Sequence, residues 1–293
     1  MKSIDTLVDD IKGLLDEGVD SVNEESLKNM GEAIASSVKL ALLKSERKPR
    51  GTLRTSNIGK PCNRQLYYEV NSPEEKEPLP PQARMKFLFG HILEEVMLFL
   101  CEEAGHSVEG RQDEIDIVGI KGHRDAVIDG VVVDVKSAST YSFKKFEEHN
   151  LEQDDPFGYM DQIQSYLHAG QEDDLVTDKE RCAFLVVDKT LGNICLDVYP
   201  RRPFPIEKLY EYKKDMVARE DPPRRGFDPV PDGKSGNMKL PMACSYCDFK
   251  NLCHPNLRTF LYARGPVFLT TVKKEPDVSE VLRDGSISTR EKG

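Results

Sequence analysis

The chain has 293 residues, enough for one large domain or two modest ones at roughly 100–200 residues each. Hydrophobic residues make up 38% and charged residues 31%, with 18 Pro and 20 Gly, which excludes fibrous and wholly disordered classes. Forty-one Lys and Arg against 51 Asp and Glu give a net charge of −10, which argues against a polyanion bound by overall charge.

From the N-terminus, Ile4, Leu7, Ile11, Leu14 and Leu15, then Met30, Ile34, Val38 and Leu42, recur at helical spacing and predict two helices broken near Asn23. Residues 1–50 are therefore expected to form an N-terminal helical region. No signal-peptide hydrophobic region opens the chain and no apolar run approaches the roughly 20 residues of a bilayer span, so a soluble, cytoplasmic protein is expected. Lys44, Arg47, Lys48, Arg50, Arg54, Lys60 and Arg64 are opposed only by Glu46, a local basic stretch in an acidic chain. The proline-rich residues 72–81 read as an exposed loop, and Leu88, Ile92, Val96 and Phe99 mark a helix ending near Gly105. From about 107 to 136 the apolar period is two. Helices return near 157–169 and 206–219, with strands at Cys182–Val187 and Ile194–Val198 between them. This is a mixed α/β (α+β) core. Residues 221–241 read as a loop leading into a cysteine cluster, the main domain is expected over 51–260, and 261–293 as a partly disordered extension.

The segment His123 to Lys136 reads HRDAVIDGVVVDVK. Asp129-Gly130 between β-branched runs signals a two-residue hairpin, because a type I′ turn needs positive φ at both central positions. With Ile128 opposite Val131, Asp125 lies across from Asp134 and His123 across from Lys136. Alternation puts Ala126, Ile128, Val131, Val133 and Val135 on one apolar face; Asp125, Asp134 and Lys136 share the other with Val127 and Val132. Opposed carboxylates destabilise a sheet unless a cation compensates them. A divalent metal is one answer; a solvated face with Lys136 and His123 in surface pairing is the other.

Asp125 followed by Asp134-Val135-Lys136 resembles the PD-(D/E)xK nuclease superfamily, whose restriction-endonuclease-like core is a mixed central sheet flanked by helices. Gln162 and Tyr166 resemble the QxxxY motif of RecB-like nucleases; alternatively Tyr166 is core and Gln162 surface. Gly90-His91-Ile92-Leu93-Glu94 resembles the helix motif that supplies another metal ligand, with Glu94 the better-spaced candidate and His91, one turn away, its rival. The resemblance implies that Glu94, Asp125 and Asp134, with the Val135 carbonyl, hold Mg²⁺ or Mn²⁺, that Lys136 stabilises or orients the nucleophile, and that Gln162 and Tyr166 line the site.

Cys244, Cys247 and Cys253 form a CxxC followed by a third cysteine. CRISPR-associated RecB-like exonucleases, including similar phage-encoded ones, carry one cysteine before the nuclease core and three after it, and Cys62 stands at the first place. The resemblance implies a [4Fe–4S] cluster on Cys62, Cys244, Cys247 and Cys253 that staples the domain. Zn²⁺ on the same thiolates, with His254 able to replace one, and free buried thiols stay open. Cys101, Cys182 and Cys195 read as core.

The expectation is a metal-dependent DNA exonuclease processing single- or double-stranded DNA ends in replication, recombination or repair, with a recombination or replication protein as possible partner. Arg54, Lys60, Arg64 and Tyr67, with Tyr68, would contact phosphate and stack on bases, or else belong to a solvated linker. A catalytically inactive DNA-binding or adaptor protein on the same fold is the competing reading.

Overall fold

The computed structural model describes residues 2–43, 51–282 and 284–288. Contacts divide the chain into two units, the first holding residues 2–43, Leu53–Gly59 and Leu79–Lys213, the second Lys60–Pro78 and the residues from Lys214 on. This differs from the expected division at 50 and 260: the N-terminal helices belong to the first unit, and Cys62, Cys244, Cys247 and Cys253 lie in the second.

The first unit is built on a five-stranded mixed sheet. Its strands are β1 (Val108–Glu109), β4 (Ala126–Ile128), β5 (Val131–Ala138), β6 (Arg181–Asp188) and β7 (Ile194–Pro200), adjacent in that order, while β2 (Glu114–Ile117) and β3 (Ile120–His123) form a separate hairpin. The β5–β6 pair is parallel, whereas β1–β4, β4–β5 and β6–β7 are antiparallel. The mixed α/β class is as expected.

The β4–β5 turn has the predicted geometry: Asp129 has φ 50° and Gly130 φ 81°. A β-carbon on Gly130 would lie 1.9 Å from the Thr177 hydroxyl, so glycine is required there for space as well as for conformation. The register is also as predicted, with Ile128 opposite Val131 and Ala126 opposite Val133. One core cluster contains Ala126, Ile128, Val131, Val133 and Val135 with Ile4, Leu7 and Ile11; the other contains Val127, Val132, Phe184, Ile163 and Tyr166. Strand alternation thus sorts β5 into two cores, with Asp134 and Lys136 on the side of the second.

The His123–Lys136 pairing does not form. The β4–β5 ladder ends at Ala126, and His123 pairs instead with Glu114 across β2–β3, while Lys136 lies beside Val186 of β6. The chain changes partner at Arg124, whose fully buried guanidinium reaches Asp113 at 2.9 Å and Asp173 at 2.6 Å. A second turn with positive φ, at Val118 (46°) and Gly119 (80°), closes β2–β3 and commits His123 to it.

Helices Leu7–Glu17 and Glu24–Leu42 flank the predicted break, where the Asn23 side chain accepts hydrogen bonds from the Glu25 and Ser26 amides. The second helix packs through half-buried Met30, Ile34 and Val38 beside helix Pro81–Glu103, whereas Leu42 is exposed. Pro81–Glu103 packs on β5, as does Tyr159–Ala169. A helix that periodicity did not reveal, Thr140–Glu147, follows β5 and buries Phe143 and Phe146.

The second unit contains helix Asn63–Asn71 and a six-stranded sheet that includes the hairpin Arg258–Tyr262 with Gly265–Thr271. Strands Glu280–Val281 and Ile287–Ser288 continue it, so the expected disordered tail is corrected over residues 273–282 and 284–288, which include paired strands. One core cluster here holds Tyr67, Tyr68, Cys247 and Phe249, and Leu66, Phe260 and Leu269 are also buried in this unit. No helix among the described residues is long and apolar enough to cross a membrane.

Candidate active site and cysteine cavity

Strand β5 carries the centre of the candidate site. Asp134 is fully buried, makes an ion pair with Lys136, and has one carboxylate oxygen, Oδ1, without any hydrogen-bond partner. Asp125, just beyond the ladder, turns back so that its Oδ2 accepts the Val135 amide at 2.8 Å. Burial pushes the Asp125 carboxyl well above its usual range, and neighbouring Asp134 and Glu94 push it further against the pull of Lys136. The two aspartates that the turn was expected to bring together therefore do lie within each other's field.

Helix Pro81–Glu103 delivers Glu94 to the same place. Its carboxyl is raised to about 7 by burial first, then by Glu95 and Asp134, against Lys136 and a 2.8 Å hydrogen bond from the Gln112 amide. His91 is largely exposed and 4.0 Å from Glu94, so the glutamate is the residue that faces the aspartates. Lys136 stays charged: burial lowers its pKa, but Asp134 and Asp125 raise it by more. Its ammonium lies 5.1 Å from the Tyr159 ring centroid.

Helix Tyr159–Ala169 supplies the remaining predicted residues. Gln162 donates to the Tyr166 hydroxyl at 2.6 Å, and burial followed by Asp134 raises the Tyr166 phenol. Tyr159, Gln162 and Tyr166 stand at i, i+3 and i+7, one face of the helix. Sequence reading missed two residues here, Tyr159 and Gln112. The first was detectable by extending the QxxxY spacing one turn back; the second had no signal, because its role depends on a left-handed backbone at φ 54°.

No group of three or more His, Cys, Asp or Glu side chains among the described residues is arranged to hold a metal ion as it stands. Asp134 is turned to Lys136 and Asp125 to the Val135 amide. The donor chemistry nevertheless fits a hard divalent cation: three buried or half-buried carboxylates in mutual repulsion, one with an orphaned buried oxygen.

In the second unit, Cys62, Cys244, Cys247 and Cys253 line one cavity with Arg64, Arg225 and His254. Burial raises the Cys244 thiol to about 11 and the Cys247 thiol to about 12; Cys62 adds to both, with Cys253 acting on Cys244 and Cys244 on Cys247. Gly226 closes the wall, since a β-carbon there would lie 3.1 Å from the Cys62 sulfur. Four thiols on one cavity suit a soft metal centre, whereas Cys101 and Cys182 are buried in the first unit's cores and Cys195 packs against one of them.

The expected nucleic-acid contacts fall in both units. Arg54 is exposed at the start of helix Thr55–Ile58. In the second unit Lys60 is paired with Glu69, Arg64 donates to the Pro223 carbonyl and lies over the Tyr68 ring, and the Tyr67 hydroxyl donates to the Glu220 carbonyl. Lys44, Arg47, Lys48 and Arg50 lie outside the described residues.

No family model matches the chain, and no curated protein matches it. Among solved structures, the crystal structure of SSO0001 is similar at 16% identity and a TM-score of 0.40, over 76% of this chain and 95% of that one.

Proposed function

We propose that the protein is a divalent-metal-dependent deoxyribonuclease of the PD-(D/E)xK type, acting as an exonuclease on DNA ends in the cytoplasm. The observation that carries the reading is the convergence of Asp125, Asp134 and Glu94 on Lys136, with Asp134 Oδ1 buried and unpartnered. Folding a protein around repelling acids costs stability, and such a cost is characteristic of a site kept for binding. Glu94, Asp125 and Asp134 would hold Mg²⁺ or Mn²⁺, which when bound activates water and offsets the negative charge of a phosphodiester. Lys136, fixed by Asp134 and Tyr159, would place a positive charge at the scissile phosphate. Gln162 and Tyr166, linked to each other, would form the wall beside it.

Cys62, Cys244, Cys247 and Cys253 would hold a [4Fe–4S] cluster, with Zn²⁺ as the alternative occupant. Anaerobic purification gives a brown protein if iron is bound and a colourless one with stoichiometric zinc if not.

Linear and circular DNA incubated with Mg²⁺ or Mn²⁺ test the activity. We expect linear DNA to be degraded and circles spared, and Asp134→Ala and Lys136→Ala each to reduce the rate by a factor on the order of 10²–10⁴. Undiminished degradation by both variants would refute the assignment, and DNA binding without hydrolysis by the native chain would favour the adaptor reading.

A further inference from the structure

Resting on the nuclease reading, we propose that Phe157 is a nucleobase shelf beside Lys136, a binding subsite that stacks a base of the strand being cut. Single exposed aromatics are ordinary on protein surfaces, and Phe157 differs in how it is held. It is 44% exposed, and its ring centroid lies 5.5 Å from that of Tyr159, the ring that carries the Lys136 ammonium. Beneath, Phe146 and Phe184 pack against Tyr159 at 6.4 and 6.5 Å. An aromatic column therefore runs from the core, past the lysine, to solvent.

The loop that presents Phe157 is fixed in advance. Asp155 accepts hydrogen bonds from the Phe157, Gly158 and Met160 amides at 3.3, 2.8 and 2.9 Å. Gly158 is left-handed at φ 79°, and a β-carbon there would strike the Gly59 carbonyl at 2.0 Å, so two backbones meet where no side chain fits. A preset aromatic loses little conformational entropy on binding and suits base stacking, which is tolerant of sequence. The two steps of 5.5 and 5.1 Å keep the Phe157 ring close enough to the Lys136 ammonium that a base stacked on it would belong to a nucleotide near a phosphate held at Lys136. A base can reach such a shelf only when unpaired, so duplex ends would have to fray first.

The chain contains no tryptophan, so Phe157→Trp places a single indole emitter on the shelf and keeps its aromatic face. Titrated with oligothymidylate in the absence of divalent metal, its emission is expected to fall in step with binding followed by fluorescence anisotropy of a labelled oligonucleotide. With metal, Phe157→Ala is expected to lower kcat/KM on single strands about tenfold, mainly through KM, and Phe157→Trp to restore it. Unchanged emission at measured saturation, or a native KM for Phe157→Ala, would overturn the shelf. A protein that cuts DNA without the quench keeps the nuclease reading and loses the shelf; one that quenches on binding but cuts no DNA keeps the shelf and loses the nuclease.

Discussion

Asp125 shows at the scale of one residue why the site strains the protein that carries it. Burial and Asp134 both disfavour its charged form, so the metal-free fold is stabilised when that charge is removed. Asp125→Asn keeps an acceptor for the Val135 amide, and we expect it to raise the metal-free stability by about 0.5–2 kcal/mol in denaturant titrations while abolishing hydrolysis. Glu94 gives the corresponding pH dependence. Its folded-state pKa of about 7 exceeds the ordinary 4.5, so the folded chain binds the proton more tightly than the unfolded one and metal-free stability falls as pH rises through that window. A divalent cation needs the deprotonated carboxylate, so the rise in Tm on adding Mg²⁺ is expected to grow over the same interval. Thermal melts with and without Mg²⁺ at several pH values check both slopes, and a constant Mg²⁺ increment would exclude Glu94 as a ligand.

Among the elements, the β4–β5 hairpin was the most legible, because Asp129-Gly130 permits few turns and alternation then assigns every side chain of β5 to a face. Its outer end was not legible: Arg124, an ion pair to residues distant in sequence, decides where the ladder stops. Thr140–Glu147 escaped for a different reason, since its eight residues span barely two turns and include β-branched and aromatic side chains that also suit strands. The turn itself is testable. Gly130→Ala would meet both positive φ and the Thr177 hydroxyl, and we expect it to cost at least about 1–2 kcal/mol, measured by urea denaturation. Because the turn also sets the register that brings Asp125 to Asp134, surviving folded protein should lose metal affinity as well.

At the scale of the whole molecule, net charge does not separate the acids that crowd together at the candidate site from acids paired on the surface. The cysteines were more legible: spacing grouped Cys244, Cys247 and Cys253, the family resemblance added Cys62, and these four of the seven thiols line one cavity while the other three pack in the first unit's cores. The C-terminal sheet was illegible because its outer strands are two residues long and depend on partners for their existence. Cys62→Ala is expected to lower bound metal sharply and to lower the Tm, with metal analysis and thermal unfolding as the readouts; full metal content in the variant would remove Cys62 from the ligand set.

The scattered membership of the second unit constrains the order of events during synthesis. All five strands of the first unit's main sheet have left the ribosome once residue 200 has emerged, whereas the four cavity cysteines are complete only after Cys253. Domains fold as units during translation, so the acid-bearing sheet can form while Cys62 still waits for its three companions. A nascent chain arrested between those points would carry the acid cluster on a formed sheet with the cysteine cavity unfinished.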